Sequence, residues 1–372
     1  MRTFLLIGYG TMGVIHASKI KASGKLKQLV VVDINPERLK AAEKDGYAAF
    51  SDLDSAYQWL QQQGQQEFDV LVVTSNTATH YQYLESAIER CITNNLDMPA
   101  IFVEKPIVAS APEAIQLQKT LEDNGLLTEL TFMCAYLLRE SPAVTHLIEK
   151  INRNQDTITD IKITWQKERE PKRASAGVVQ DEATHSLDLV QHIMRELKMD
   201  ITSKNLEIVS AIRTTIIVDQ AAQNALYPEG DKNRNPIAEI EYRLQLGDVK
   251  VEGLSSFLIG PQQRSIEFIG KQATYKLEFD KNKADWCDGQ EFSTDKIASL
   301  WVSFLNTLNT SSKQTAGFYQ AIDDVKLTDL LEQMADQYLQ QQQARGMLFA
   351  FSASQKPTEE TEMSYSGPKH GL

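Results

Sequence analysis

Short apolar runs, each followed by a stretch with helical spacing, set the rhythm of the first 132 positions. Continuous apolar runs at Phe4 to Ile7, Leu29 to Val32, Val70 to Val73, Ile101 to Val103 and Leu127 to Phe132 predict strands covered on both faces, as in a parallel sheet flanked by helices. Helical patterns fall between them: Thr11 to Lys21, a segment opening at Pro36, Ser51 to Leu60, Asn76 to Ile88 and Pro112 to Leu121. Several open on a capping residue or an early proline. Such alternation marks βαβ units, so residues 1–132 are expected to form a doubly wound α/β Rossmann domain.

Beyond about residue 134 the order changes. Helical patterns at Pro142 to Ile151 and Glu182 to Leu197 precede β-rich segments that follow one another closely: Leu206 to Val218, Ala238 to Leu246, Val249 to Ser255, Arg264 to Gly270 and Ala273 to Phe279. Gly247-Asp248 and Gly270-Lys271 read as hairpin turns between them. The pattern predicts a large, mainly antiparallel sheet of five strands in an α+β domain over 133–351, completed by helices at Lys296 to Leu308 and Phe318 to Tyr338. An exposed apolar sheet face is an association surface, so a homodimer or homotetramer is expected. Residues 352–372 carry almost no large apolar side chains and read as a polar, disordered tail.

Composition narrows the class. A chain of 372 residues with 42% hydrophobic content is long enough for two cores. The apolar stretch before Gly8 is too short for a signal-peptide core, and no segment reaches the roughly 18 apolar residues that span a bilayer. Cys91, Cys134 and Cys287 are scattered without C-x-x-C spacing, which suggests neither a disulfide framework nor a zinc site. The expectation is a soluble, cytoplasmic protein without a metal. A net charge of −12 repels a phosphate backbone and makes nucleic acid an improbable partner. Local dipoles still permit an anionic cofactor.

Gly8-Tyr9-Gly10-Thr11-Met12-Gly13 follows the first strand and opens a helix, the context in which a G-x-G-x-x-G holds a dinucleotide. Gly8 makes the tight turn, Gly10 admits the pyrophosphate to the backbone, and Gly13 allows close packing of helix on strand. Twenty residues after Gly13, Asp33 ends the second strand, where a carboxylate accepts both ribose hydroxyls and repels a 2′-phosphate. NAD is therefore the expected cofactor, with NADP admitted. The plainer alternatives are a packing turn for the glycines and a helix cap for Asp33.

Once Val103-Glu104-Lys105-Pro106 is added, the sequence resembles the Gfo/Idh/MocA family of oxidoreductases. The other marks are the glycine loop with His16-Ala17 behind it, Thr74-Ser75-Asn76-Thr77-Ala78-Thr79-His80, the segment Asp181-Glu182-Ala183-Thr184-His185-Ser186-Leu187-Asp188, and the late helix Thr315 to Met334. Many members carry a run of glycines before the last motif, where this chain has Ser175-Ala176-Gly177-Val178-Val179-Gln180; the departure implies a pocket loop shaped for an unusual substrate. The resemblance implies hydride transfer between nicotinamide and a secondary alcohol or ketone of a sugar, inositol or related polyol. It implies a catalytic role for Lys105 and places Tyr9, Thr11, Met12, Asn76, His80, Glu104 and Lys105 itself beside the cofactor. Two rivals share the fold: NAD-assisted glycoside cleavage, and a non-catalytic nucleotide-binding regulator.

The residues themselves suggest the proton chemistry. Asp181, His185 and Asp188 are spaced i, i+4, i+7 and share one face of the predicted helix, with Asp181 at its cap. A carboxylate there orients the imidazole, which is suited to take a hydroxyl proton as hydride leaves. An N-cap, a packed core histidine and a surface acid are the respective alternatives. Lys105 lies at the carboxyl edge of the sheet, where open α/β folds bind ligands, and Pro106 fixes the turn, as a cis bond. The plainer reading makes Lys105 a surface residue paired with Glu104. His80 lines the cleft or serves as a cap or packing residue. Arg139, Trp165, Lys167 and Arg169 are candidates for the substrate wall, outside the core assignment.

Overall fold

The computed structural model describes residues 1–167, 177–213, 236–258, 262–281, 284–308 and 316–344. Six parallel strands build the first sheet: β1 (Arg2–Ile7), β2 (Leu26–Val32), β3 (Ala48–Phe50), β4 (Val70–Val73), β5 (Ala100–Val103) and β6 (Phe132–Cys134), in the order β3-β2-β1-β4-β5-β6. The order reverses between β1 and β4, which opens a crevice at their carboxyl ends. Strand residues alternate between two cores, with Phe4 and Leu6 on one face and Leu5 and Ile7 on the other. Both faces are therefore dry, and that is why the strands read as unbroken apolar runs.

The helices are α1 (Thr11–Ala22), α2 (Pro36–Lys44), α3 (Leu53–Gln62), α4 (His80–Asn94) and α5 (Ala111–Asp123). On α1 the buried positions are Gly13, His16, Ala17 and Ile20, a stripe at helical spacing that seats the helix on the sheet. Two details differ from expectation. The short β3 was not expected. Leu127 to Phe132 is not one strand: a 3-10 turn covers Leu126–Glu129, and β6 starts only at Phe132. Leu127 and Leu130 are buried without belonging to a strand, a case that apolarity alone does not distinguish.

After α6 (Pro142–Asn154) comes the second sheet. Its strands are β7 (Ile158–Gln166), β8 (Ser203–Arg213), β9 (Ile237–Leu246), β10 (Val249–Ser256), β11 (Gln263–Gly270), β12 (Thr274–Lys281), β13 (Ala284–Cys287) and β14 (Gln290–Phe292). They are ordered β14-β13-β12-β11-β7-β10-β9-β8 and pair antiparallel except for β7 with β10. The expected hairpins at Gly247-Asp248 and Gly270-Lys271 are present. The sheet has eight strands rather than five, and the central one, β7, was not expected. Its buried residues Ile158, Ile161, Ile163 and Trp165 are separated by polar ones, so it shows as alternation rather than as a run.

α7 (Thr184–Glu196), preceded by a π-helical turn at Val179–Ala183, packs in the core of the second sheet. One face of the second sheet packs on α6, α7 and the far half of the last helix. The other is polar, with Lys162, Glu241, Arg243, Lys250 and Glu252 exposed and Arg243–Glu252 paired at 3.3 Å. An apolar free face, the ground on which association was expected, is thus absent among the described residues. Both C-terminal helices return to the first sheet. In α8 (Lys296–Thr307), Leu300, Trp301, Phe304 and Leu305 fill the core beside α1. Lys19 pairs with Asp295 at the start of α8, and Arg2 donates to the Leu308 carbonyl at 2.8 Å beyond its end. In α9 (Ala316–Ala344), Phe318 to Val325 pack on the first sheet and Leu327 to Ala335 on the second. One continuous helix couples the two cores. The expected tail at 352–372 lies outside the described residues.

Candidate active site

The glycine loop lies in the crevice between β1 and β4. Gly8 has φ +92°, and a Cβ there would stand 2.8 Å from the Ser75 backbone; at Gly13 it would stand 2.0 Å from the Gly8 carbonyl oxygen. Both glycines are required by the packing of the loop itself. Gly10 differs, because its added Cβ would find only Arg38 at 3.6 Å and would point toward the cleft. The helix that follows, α1, begins at Gly10 without a side-chain cap, as α4 and α6 also do at theirs, whereas α2, α3 and α5 are capped by the side chains of Asn35, Asp52 and Ser110. The first-turn amides of α1 are left for an outside acceptor, and a pyrophosphate fits that role. The open cleft, of about 410 Å³, is lined by Gly8, Gly10, Thr11, Met12, Asp33, Arg38, Ser75 and Asn76 among others.

Asp33 is buried, and both its oxygens are held by backbone: Oδ2 accepts from Tyr9 N at 2.6 Å and Oδ1 from Asn35 N at 2.8 Å. It is not the cap of α2, since Asn35 accepts from Glu37 N in that role. Arg38 Nη1 stands 3.5 Å from Asp33 Oδ2 and remains half exposed. Tyr9 contributes its amide, while its ring is buried and its hydroxyl donates to Asp45. Asn76 lines the cleft and caps the 3-10 turn Thr77–Thr79. His80 is only 1% exposed, and its two ring nitrogens meet the carbonyls of Pro106 at 2.9 Å and Ser75 at 3.2 Å. Burial pushes its pKa down; the neutral ring can donate to one of these two carbonyls and packs behind both cleft loops.

Lys105 lies two residues past the end of β5 and is joined to Pro106 by a cis bond. Its Nζ donates to the backbone carbonyl of Asp181 at 3.0 Å, a contact between residues 76 positions apart in the chain. Glu104 is not its ion partner. The Glu104 carboxylate turns inward, Oε1 to His16 Nε2 at 2.7 Å and Oε2 to the Lys105 amide at 3.2 Å.

Asp181 is not a helix cap either. It lies inside the π-helical turn that runs into α7, and such turns recur at functional sites. The neighbouring Glu182 anchors the turn: buried to 2% exposure, it accepts from Trp165 Nε1 at 3.0 Å and Arg264 Nη2 at 2.6 Å. Trp165 is therefore a buried anchor rather than a substrate wall. His185 stands one turn beyond Asp181, and both are half-buried. Lys105, Asp181 and His185 thus belong to segments that meet at one place.

Asp188 does not share their task. Buried to 1% exposure, it takes a two-pronged contact from Arg139, which also bonds Gln320 Oε1 at 2.8 Å and lies 3.4 Å from Asp324. From the 3-10 turn Leu137–Glu140, Arg139 thus ties Asp188 on α7 to Gln320 and Asp324 on α9, and it is likewise no substrate wall. Arg169 lies outside the described residues. Burial, and next the Asp188 charge, raise the Asp324 carboxyl well above the usual range. The native state therefore holds this proton more tightly than the unfolded chain, and the contribution is lost as pH rises from the unfolded value through the folded one. Replacing Asp324 by Asn should remove that dependence. In denaturant titrations across pH, the stability difference between wild type and variant should change by up to about 1.4 kcal/mol per pH unit in that window; a constant difference would count against the assignment.

Among the described residues no group of His, Cys, Asp and Glu is arranged to hold a metal ion, and no helix is long and apolar enough to cross a membrane. Residues 2–132 match the model of an oxidoreductase family with an NAD-binding Rossmann fold, Gfo/Idh/MocA. No curated protein resembles the chain closely enough in sequence to count as a match. Solved structures resemble it over nearly its whole length. The UDP-N-acetylglucosamine 3-dehydrogenase GnnA of Acidithiobacillus ferrooxidans superposes with a TM-score of 0.67 at 14% identity, covering 91% of this chain and 99% of that one. The WlbA dehydrogenase of Bordetella pertussis, solved with NADH and UDP-GlcNAcA, gives 0.67 at 17% identity over 90% and 96%. A myo-inositol dehydrogenase of Corynebacterium glutamicum gives 0.63 at 16% over 91% and 97%. At these identities the likeness shows the fold, and the family match covers residues 2–132. Residues 2–132 thus match the NAD-binding Rossmann domain of the Gfo/Idh/MocA oxidoreductases, and the chain shares its fold with solved dehydrogenases.

Proposed function

We propose that the protein transfers hydride between nicotinamide and a secondary alcohol or ketone of a sugar, inositol or related polyol. The observation that carries this reading is the 3.0 Å contact from Lys105 Nζ to the Asp181 carbonyl, which brings the end of β5 and the start of α7 together beside the cofactor cleft. When bound, NAD(P) supplies the carbon that accepts or donates hydride. Lys105 presents N–H donors to the substrate oxygen and stabilises negative charge on it. His185 takes the hydroxyl proton in oxidation and returns it in reduction. Asp181 holds the lysine through its carbonyl. The relatives solved with a nucleotide sugar and named for myo-inositol support a polyhydroxy substrate. An assay of reduced-nicotinamide absorbance against inositols, polyols, free sugars and sugar nucleotides tests it; NADH binding without turnover on any class would refute it and favour the regulatory reading.

The cleft favours NAD over NADP, because the Asp33 carboxylate is held in place by two backbone amides and would meet a 2′-phosphate as a like charge. NADH should bind several-fold tighter than NADPH in fluorescence titrations, and Asp33→Ala should narrow the gap. Equal or tighter NADPH binding, with Arg38 turned to the phosphate, contradicts this. We further infer a cytoplasmic homodimer or homotetramer whose contact, if made through the second sheet, is polar. Light scattering at micromolar protein should then give a multiple of 41.9 kDa and a weaker association at high salt; a lone monomer mass would contradict it.

A further inference from the structure

A line of hydrogen bonds, buried at its α8 end, runs from α8 to the loop that carries Lys105. Trp301 Nε1 donates to His16 Nδ1 at 2.9 Å, His16 Nε2 meets Glu104 Oε1 at 2.7 Å, and Glu104 Oε2 accepts the Lys105 amide at 3.2 Å. His16 and Trp301 are almost fully excluded from solvent. An indole N–H can only donate, so Nδ1 must accept and the ring proton belongs on Nε2, where it is donated to the carboxylate. That assignment follows from the network. Trp301 also stacks on Phe102, with centroids 4.3 Å apart and planes at 14°, and Phe102 lies on β5 two residues before Glu104. The helix therefore grips both the strand and the loop that leaves it.

We propose that Trp301 and His16 are positioning residues for Lys105: the indole sets the imidazole tautomer, the imidazole aims the Glu104 carboxylate, and the carboxylate holds the Lys105 amide at the cleft. The consequence for turnover rests on the function proposed above, whereas the positioning itself does not. A residue from the far end of the chain thus completes a site otherwise built by the first domain and the start of α7. The line places two buried polar groups and a partly buried carboxylate behind one loop amide, in a place where packing alone would accept apolar side chains.

The test uses the full chain. Ring 15N shifts of His16 in the wild type should show the proton on Nε2; a proton on Nδ1 overturns the proposal and needs no variant. Trp301→Phe keeps the stack and removes the donor, and His16→Leu breaks the line; each should speed hydrogen exchange of the Lys105 amide about tenfold. His16→Gln, which can accept from the indole and donate to the carboxylate, should stay near wild type. With a substrate in hand, the two broken variants should lose kcat with NADH affinity unchanged. Wild-type exchange at Lys105 in Trp301→Phe overturns the proposal. If Lys105→Met leaves turnover intact, the proposed function fails instead, and the tautomer and exchange results still stand on their own.

Discussion

Replacing Lys105 by Met or His185 by Ala is expected to lower turnover about 100-fold to 10,000-fold, the usual cost of removing a group that transfers or stabilises a proton. NADH affinity should stay within a few-fold, because the glycine loop, the α1 amides and Asp33 line a cleft that contains neither residue. Lys105 and His185 approach from different parts of the chain, the lysine from the end of β5 and the histidine from the first turn of α7, and the Asp181 carbonyl, one turn before His185, holds the lysine. If they serve one substrate oxygen, the double variant should lose less than the product of the single losses. Stopped-flow and steady-state rates on any accepted substrate give the comparison. A single variant with near-normal turnover and an unchanged pH profile would remove that residue from the site.

Two glycine substitutions should separate cofactor binding from folding. At Gly13 an added methyl would lie 2.0 Å from the Gly8 carbonyl oxygen, so α1 must lift off the loop, and Gly13→Ala should lose both thermal stability and NADH binding. At Gly10 the same methyl meets nothing closer than the Arg38 guanidinium at 3.6 Å, an ordinary contact. Gly10→Ala should therefore melt like the wild type, yet bind NADH at least about tenfold more weakly, or about 1.4 kcal/mol, because the methyl fills space the pyrophosphate needs. Isothermal titration and thermal melts measure the two effects. Wild-type affinity in Gly10→Ala would mean that the dinucleotide does not cross this loop.

The first sheet was legible because a doubly covered strand must be apolar along its whole length, and runs such as Val70–Val73 meet that demand. Strands with one wet face were harder to see. β7 carries four apolar residues among polar ones, and it was missed although it lies in the middle of the second sheet. The site was readable where a motif constrains backbone, as at Gly8, Gly10, Gly13 and Lys105-Pro106. It was less readable where spacing had to stand for geometry. The i, i+4, i+7 set of Asp181, His185 and Asp188 assumed a regular helix, but the π-helical turn interrupts it and Arg139 claims Asp188. Trp301 left no local signal at all, since its partner His16 is 285 positions away. His16 itself was marked only as part of a resemblance, although its place on the buried stripe of α1 already set it against the sheet.

The most direct test follows a label from substrate carbon to cofactor. A polyol or sugar that the protein accepts, deuterated at the carbon to be oxidised, would be incubated with the full-length protein and NAD, and the reduced nicotinamide examined by NMR. The account predicts one deuterium delivered to a single face of the nicotinamide, a ketone released, and loss of this transfer in Lys105→Met despite bound NAD. Deuterium that returns to the sugar carbon while a neighbouring bond is cleaved would contradict it in favour of NAD-assisted glycoside cleavage.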